Sequence, residues 1–150
     1  MPPTKHQTLG NLGESAVARL PCPGCKRHPT LKTLPTNFKC ADIICDFCGY
    51  LAQVKTTTRS DIDQLPKSVL GSAWGPQKNR MDAGVFIPLF VVVISPNHRS
   101  KAIYYLPADL QVRQMFKQRK ALSKSAKRAG WVGYNLVFGE DGAIKPVRIQ

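Results

Sequence analysis

The stretch Ala41-Asp42-Ile43-Ile44-Cys45-Asp46-Phe47-Cys48-Gly49-Tyr50-Leu51-Ala52-Gln53-Val54-Lys55 decides how this chain folds. Apolar residues lie on both sides of a Cys-x-x-Cys-Gly unit. The pattern predicts a β-hairpin in which residues 38–44 form one strand, residues 50–57 form its antiparallel partner and 45–49 make the turn. Side chains alternate along a strand, so Gln53 and Lys55 share one face while Val54 faces the core. The tight turn brings Asp42, on the first strand, close to both.

The turn repeats a unit found upstream, Cys22-Pro23-Gly24-Cys25, and 19 residues separate the two pairs. Two Cys-x-x-Cys knuckles at that distance have the spacing of a structural zinc ribbon, with four thiolates at the corners of a tetrahedron. Disulfides and a thioredoxin-type redox site are the other readings. A redox site needs only one such unit, and nothing resembling a secretion signal favours disulfides. Cys22, Cys25, Cys45 and Cys48 are therefore the expected zinc ligands. His28 lies inside the ribbon but is not needed as a fifth ligand. Cys40 is expected to be a small buried residue.

A carboxylate, an amide and a lysine converging on one face suit phosphodiester hydrolysis. A divalent cation on the phosphate needs oxygen ligands, which Asp42 and Gln53 supply, and magnesium prefers them. Lys55 orients the attacking water and offsets phosphate charge. The same residues also describe an ordinary surface hairpin, so the rest of the chain must decide. Its 22 basic residues against 9 acidic ones give a net charge of +13. Polyanions are the natural partners, nucleic acid first and anionic membrane second. No apolar run approaches the length of a membrane span, and the N-terminus lacks a signal-peptide core, so a cytoplasmic protein is expected.

Outward from the hairpin, residues 1–10 read as disordered. A helix is expected from Asn11 to Leu20, with Glu14 in its first turn and Pro21 ending it. Residues 21–49 form the zinc-ribbon insertion. After a polar turn at 59–67, residues 70–82 are rich in Gly, Pro and polar groups and read as a functional loop. Gln77, Lys78, Asn79 and Arg80 in that loop are candidate DNA contacts, as are Lys124, Lys127 and Arg128 in a later basic segment. Residues 84–95 read as a central strand, 102–106 as the next and 130–138 as the last, with a helix over 107–119. Trp131 is assigned to the core. The fold class is α/β (α+β), one domain over 11–150 built on a mixed sheet flanked by helices, with the four-cysteine zinc ribbon inserted.

The segments NLGESAVARLPCPGC (11–25), FKCADIICDFCGYLAQVKT (38–56) and Ala126-Lys127-Arg128-Ala129-Gly130-Trp131-Val132-Gly133-Tyr134-Asn135 together resemble the catalytic domain of the DpnI and Dam-replacing restriction endonucleases, within the PD-(D/E)xK nuclease superfamily. The resemblance implies a restriction-endonuclease-like fold and a metal-dependent DNA endonuclease, with methylation-directed restriction as the family's form of it. It implies Asp42, Gln53 and Lys55 as the catalytic set with Glu14 in support, magnesium on Asp42 and Gln53, and zinc on the four cysteines. Double-stranded DNA is the implied partner. The family's glutamate is replaced here by Gln53, although Mrr-like members of the superfamily use Gln-x-Lys. The family's winged-helix domain has no counterpart in these residues, so the domain is expected to work alone, to work with a partner such as a separate DNA-reading subunit, or to be a fragment of a longer protein. Cutting both strands with one site per chain requires a homodimer or two sequential nicks. Two other readings stay open: an inactive zinc-ribbon nucleic-acid-binding module, and a structure-directed repair nuclease.

Overall fold

The computed structural model describes residues 2–36, 38, 40–119, 123–128 and 130–150, and of Ala126 and Arg128 the backbone alone. Lys39 and Ala129, both inside stretches quoted above, lie outside the described residues. Helix α1 (Lys5–Ala18) opens the chain. It is followed by β1 (Leu31–Thr33), β2 (Ile43–Cys45), β3 (Leu51–Thr58), β4 (Ser68–Trp74), α2 (Gly75–Asp82), β5 (Leu89–Ile94) and β6 (Lys101–Leu106). Two 3-10 turns then lead into β7 (Phe116–Gln118), α3 (Lys124–Arg128), β8 (Trp131–Val137) and β9 (Val147–Arg148).

One sheet has the order β1-β2-β3-β5-β6-β9, in which β3 and β5 are parallel and the other pairs antiparallel. The second is antiparallel, β4-β8-β7. Strand β5, with the sequence LFVVVI, is buried along its whole length. Both of its faces are covered, which is why its sequence is a continuous apolar run rather than an alternation. Phe90 and Val92 face α1 together with Val17, Ile43, Ala52 and Val54. Leu89, Val91 and Val93 face the second sheet, meeting Val69, Ala73, Tyr134 and Leu136. The mixed sheet and its helices form the α+β architecture expected from the sequence. Among the described residues, no helix is long and apolar enough to cross a membrane.

Several boundaries differ from the sequence reading. The strand expected over 38–44 is only the short β2 (Ile43–Cys45), and the one expected over 84–95 is only β5 (Leu89–Ile94). Helix α1 begins at Lys5, not near Asn11, because Thr4 and Gln7 close a reciprocal capping box. Residues 5–10, expected to be disordered, are thus helical, and Glu14 sits in the body of the helix rather than its first turn. The expected loop at 70–82 is strand β4 followed by α2. The expected helix at 107–119 is two 3-10 turns and β7.

Gly13 sets the approach of α1 to the sheet. A Cβ built there would lie 1.8 Å from Thr56 Oγ1 on β3. Ala usually stabilises a helix interior by about 1 kcal/mol over Gly. Here the overlap with a β-branched side chain in a packed strand should outweigh that gain. Gly13→Ala is expected to destabilise the protein by about 1–3 kcal/mol, and Gly13→Ala with Thr56→Ala should recover part of the loss. Thermal denaturation checks this: a single variant as stable as the native protein would show that the helix can move aside freely.

Candidate active site and metal centre

The two knuckles close on each other. Hydrogen-bonded strands β1 and β2 hold Cys45, while the end of α1 leads directly into Cys22. The four Sγ atoms all lie within 4.8 Å of one another, with Cys22 and Cys48 3.7 Å apart and Cys25 and Cys45 3.8 Å apart. A disulfide requires about 2 Å between sulfurs, so none joins these pairs. Four sulfurs about 2.3 Å from a tetrahedral zinc stand about 3.8 Å from each other, so the donor set and spacing fit a structural metal such as zinc. The Cys48 N–H points at Cys45 Sγ, 3.5 Å away. Burial pushes the Cys45 thiol up, but hydrogen bonds from Thr30 and from the knuckle backbone outweigh this and bring it down to about 6. His28 Nε2 lies 2.9 Å from the Arg19 carbonyl, away from the sulfurs' ligand role.

The residues of the sequence-predicted catalytic set converge at the free edge of β3. Strand β2 pairs with only the start of β3, through Ile43–Ala52 and Ile44–Leu51. Asp42 lies one residue before β2. Its N–H donates to the Ala52 carbonyl at 2.9 Å, and its Oδ2 accepts the Val54 N–H at 2.8 Å. The carboxylate thus continues the ladder where β2 has stopped, fixed beside Gln53 and Lys55. Among the described residues, Oδ1 accepts no hydrogen bond. Gln53 Nε2 reaches the Cys40 carbonyl at 3.4 Å, leaving its amide oxygen without a donor among those residues. Two hard oxygen ligands are therefore available to a cation such as magnesium. Lys55 lies on the same face of β3 as Gln53, and no described carboxylate forms an ion pair with it.

Glu14 approaches from α1. Burial, and after it the neighbouring Asp42 carboxylate, push its pKa from 4.5 up to about 7, against the opposing pull of Lys55. Because the folded pKa exceeds the unfolded value, the folded chain binds more protons between the two. The stability tied to this carboxyl is complete below the unfolded pKa and is lost as pH rises through about 7. Glu14→Gln cannot ionise. Without added divalent cation, the variant is expected to melt higher than the native protein at about pH 8 but not at about pH 5. Parallel melting curves at both pH values would refute this.

Opposite β3 stands the second sheet. Ser72 and Trp74 of β4, Gln77 of α2 and Trp131 of β8 form the far wall of a cleft of about 190 Å³ that holds Asp42, Gln53 and Lys55. Trp74 and Trp131 are register partners, with ring centroids 4.4 Å apart. Trp131, assigned to the core by its sequence, is only partly buried and lines this cleft. Sequence reasoning misses Trp74 and Ser72 altogether. The signal that could find them is the alternation of Ser72 and Trp74 with Ala73, followed by Gly-Pro at the start of a helix. Cys40 is partly exposed rather than buried, with Arg80 Nη1 2.8 Å from its sulfur.

The candidate DNA contacts are dispersed. Gln77 is 8 % exposed and faces the cleft. Lys78 is ion-paired with Asp82 at 2.6 Å, Arg80 is engaged with Cys40, and Asn79 is exposed on α2. Lys124 and Lys127 are exposed on α3, and the side chain of Arg128 lies outside the described residues.

Comparison with known proteins bears on the whole of this arrangement. The model of the DpnI Dam-replacing family matches residues 4–144 of the 150. That match takes in the helix bearing Glu14, both cysteine knuckles, the β2–β3 hairpin and the strand of Trp131, not a metal ribbon alone, and the chain belongs to the DpnI Dam-replacing family, whose signature is a restriction-type nuclease domain.

Proposed function

We propose that this domain is a metal-dependent DNA endonuclease of the restriction type, with its catalytic centre at Asp42, Gln53 and Lys55 and with Glu14 in support. The observation that carries the reading is the fixing of Asp42 by the Val54 N–H, which sets a carboxylate beside Gln53 and Lys55 at the edge of an open cleft. A magnesium ion held by Asp42 and Gln53 would polarise the scissile phosphate and lower the charge repelling an incoming water. Lys55 projects into the cleft, where its ammonium group orients that water and offsets the phosphate's negative charge. Glu14 counterbalances Lys55 from the helix side, and its pKa near neutrality lets it exchange a proton at working pH. Trp74 and Trp131, their rings tilted by 51° to one another, give the cleft an aromatic side against which a base can pack. The net charge of +13 draws DNA to the whole surface. Zinc held by Cys22, Cys25, Cys45 and Cys48 would be structural, pinning the turn that joins Asp42 to the strand of Lys55.

The test is cleavage of Dam-methylated and unmethylated plasmid with magnesium. Discrete cutting of the methylated form, absent without the divalent cation, is expected. Equal inertness toward both plasmids, with manganese also tried, would leave the inactive binding module as the better reading.

A further inference from the structure

Among the described residues, two glutamines outside the catalytic set are buried, and they behave differently. Gln111 is 7 % exposed, and its Nε2 donates to the carbonyls of Ile87 at 2.8 Å and Leu106 at 3.3 Å. It closes a loop and its role is complete. Gln77 is as deeply buried, at 8 %, yet its amide makes no hydrogen bond to any described residue. Its amide atoms are not sealed off from the cleft, so they stand open to a polar group that arrives there. Gln77 borders the main cleft and two small hollows beside it, each about 10 Å³, and Gln53 borders all three. The hollows have room for no more than about one water each. The main cleft, about 190 Å³, admits part of a DNA strand.

We propose that Gln77 binds the strand being cut, its Nε2–H donating to a non-bridging oxygen of the phosphate that Lys55 faces. The assignment rests on the nuclease reading of the same cleft and adds a binding residue to it. The sequence suggests a residue that reads base edges from an exposed loop. Its position on the inner side of α2, facing Ser72, Gln53 and Lys55, instead places it against a backbone group. A phosphate suits a neutral donor here. A second cation would compete with Lys55, whereas an amide adds a directed hydrogen bond without changing the charge that Glu14 and Asp42 balance.

Gln77→Met keeps the length and volume while removing both polar ends. The variant is expected to melt within a few degrees of the native temperature, since the amide makes no hydrogen bond to a described residue, yet to cut about 10- to 100-fold more slowly under single turnover. A phosphorothioate at the scissile position separates a phosphate contact from a packing role. One of its two diastereomers should slow the native protein more than it slows Gln77→Met, whereas a structural role leaves the two losses multiplicative. Cutting by Gln77→Met at the native rate would overturn the proposal while leaving the nuclease reading intact. If the native protein cuts nothing, that reading fails by itself. The affinity of a duplex oligonucleotide then decides for Gln77: weaker binding by Gln77→Met supports the contact, and unchanged binding overturns it.

Discussion

Lys55→Ala is expected to reduce DNA cleavage by about a thousandfold or more while the protein melts within a few degrees of the native temperature and still binds duplex DNA. The separation of effects follows from where Lys55 sits. Its backbone is held in the centre of the sheet, in register with Val91 of β5, and this pairing does not depend on the side chain. The side chain faces the cleft rather than either hydrophobic core, and no described carboxylate is ion-paired with it, so its removal breaks no ion pair, and Glu14, losing its attraction, can take up a proton. The loss should therefore lie in the chemical step. Asp42→Ala should be as inactive but is a less clean test. It also leaves the Val54 N–H without its acceptor at the strand edge, at a cost of about 1–3 kcal/mol. Asp42→Asn keeps an acceptor while removing the charge, and so separates the two effects. Single-turnover rates, DNA binding by fluorescence anisotropy and thermal melts on the same preparations make the comparison. A Lys55→Ala protein that cuts at the native rate would remove Lys55 from the chemistry and with it the proposed centre.

The hairpin is legible in the sequence because two independent periodicities coincide there. Cysteine spacing locates the turn, and the alternation of Ala52, Gln53, Val54 and Lys55 tells which side chains face together. Strand β5 is legible from its unbroken apolar run. The far wall of the cleft is hidden by residues that usually signal loops. Gly71 lies in β4, where a Cβ would come within 2.8 Å of Leu136, so the glycine reflects tight sheet packing, not a turn. Pro76 sits in the first turn of α2, where a missing N–H costs nothing. The stretch 107–119 carries helix-start signals in Pro107 and Asp109. Gln111, buried and bonded to the carbonyls of Ile87 and Leu106, instead draws the chain into extended and 3-10 turns. Such tertiary hydrogen bonds link distant segments, and no local pattern announces them. Glu14 shows the same limit. Its place in the sequence suggests a first-turn acid and the resemblance a supporting role, but its interaction with Asp42 follows from the close packing of α1 on β3 that Gly13 allows.

Stripping the metal from the four thiols is expected to have the largest structural effect of all. Cys22 and Cys45 are buried within the same core as Val17, Ile43 and Ala52, so the four-thiol cluster is part of the packing of α1 against the sheet. The strands that a metal there would join are short, three residues each in β1 and β2, and so would gain much of their hold from it. Structural zinc supplies about 10–16 kcal/mol in small domains, comparable with the whole stability of a typical fold, about 5–15 kcal/mol. A zinc-selective chelator should therefore unfold the ribbon and loosen α1, lowering the melting temperature by tens of degrees and abolishing cleavage. Cys45→Ser, which loses one thiolate from the buried side, should act the same way. Readdition separates the two metals. Zinc should restore fold and, in the presence of magnesium, activity, whereas magnesium alone should restore neither, because Asp42 would no longer be held beside Gln53 and Lys55. A purified protein that contains no stoichiometric zinc, or melts unchanged in the chelator, would show that the four thiols are packed without a metal and that the hairpin carries Asp42 by its own hydrogen bonds.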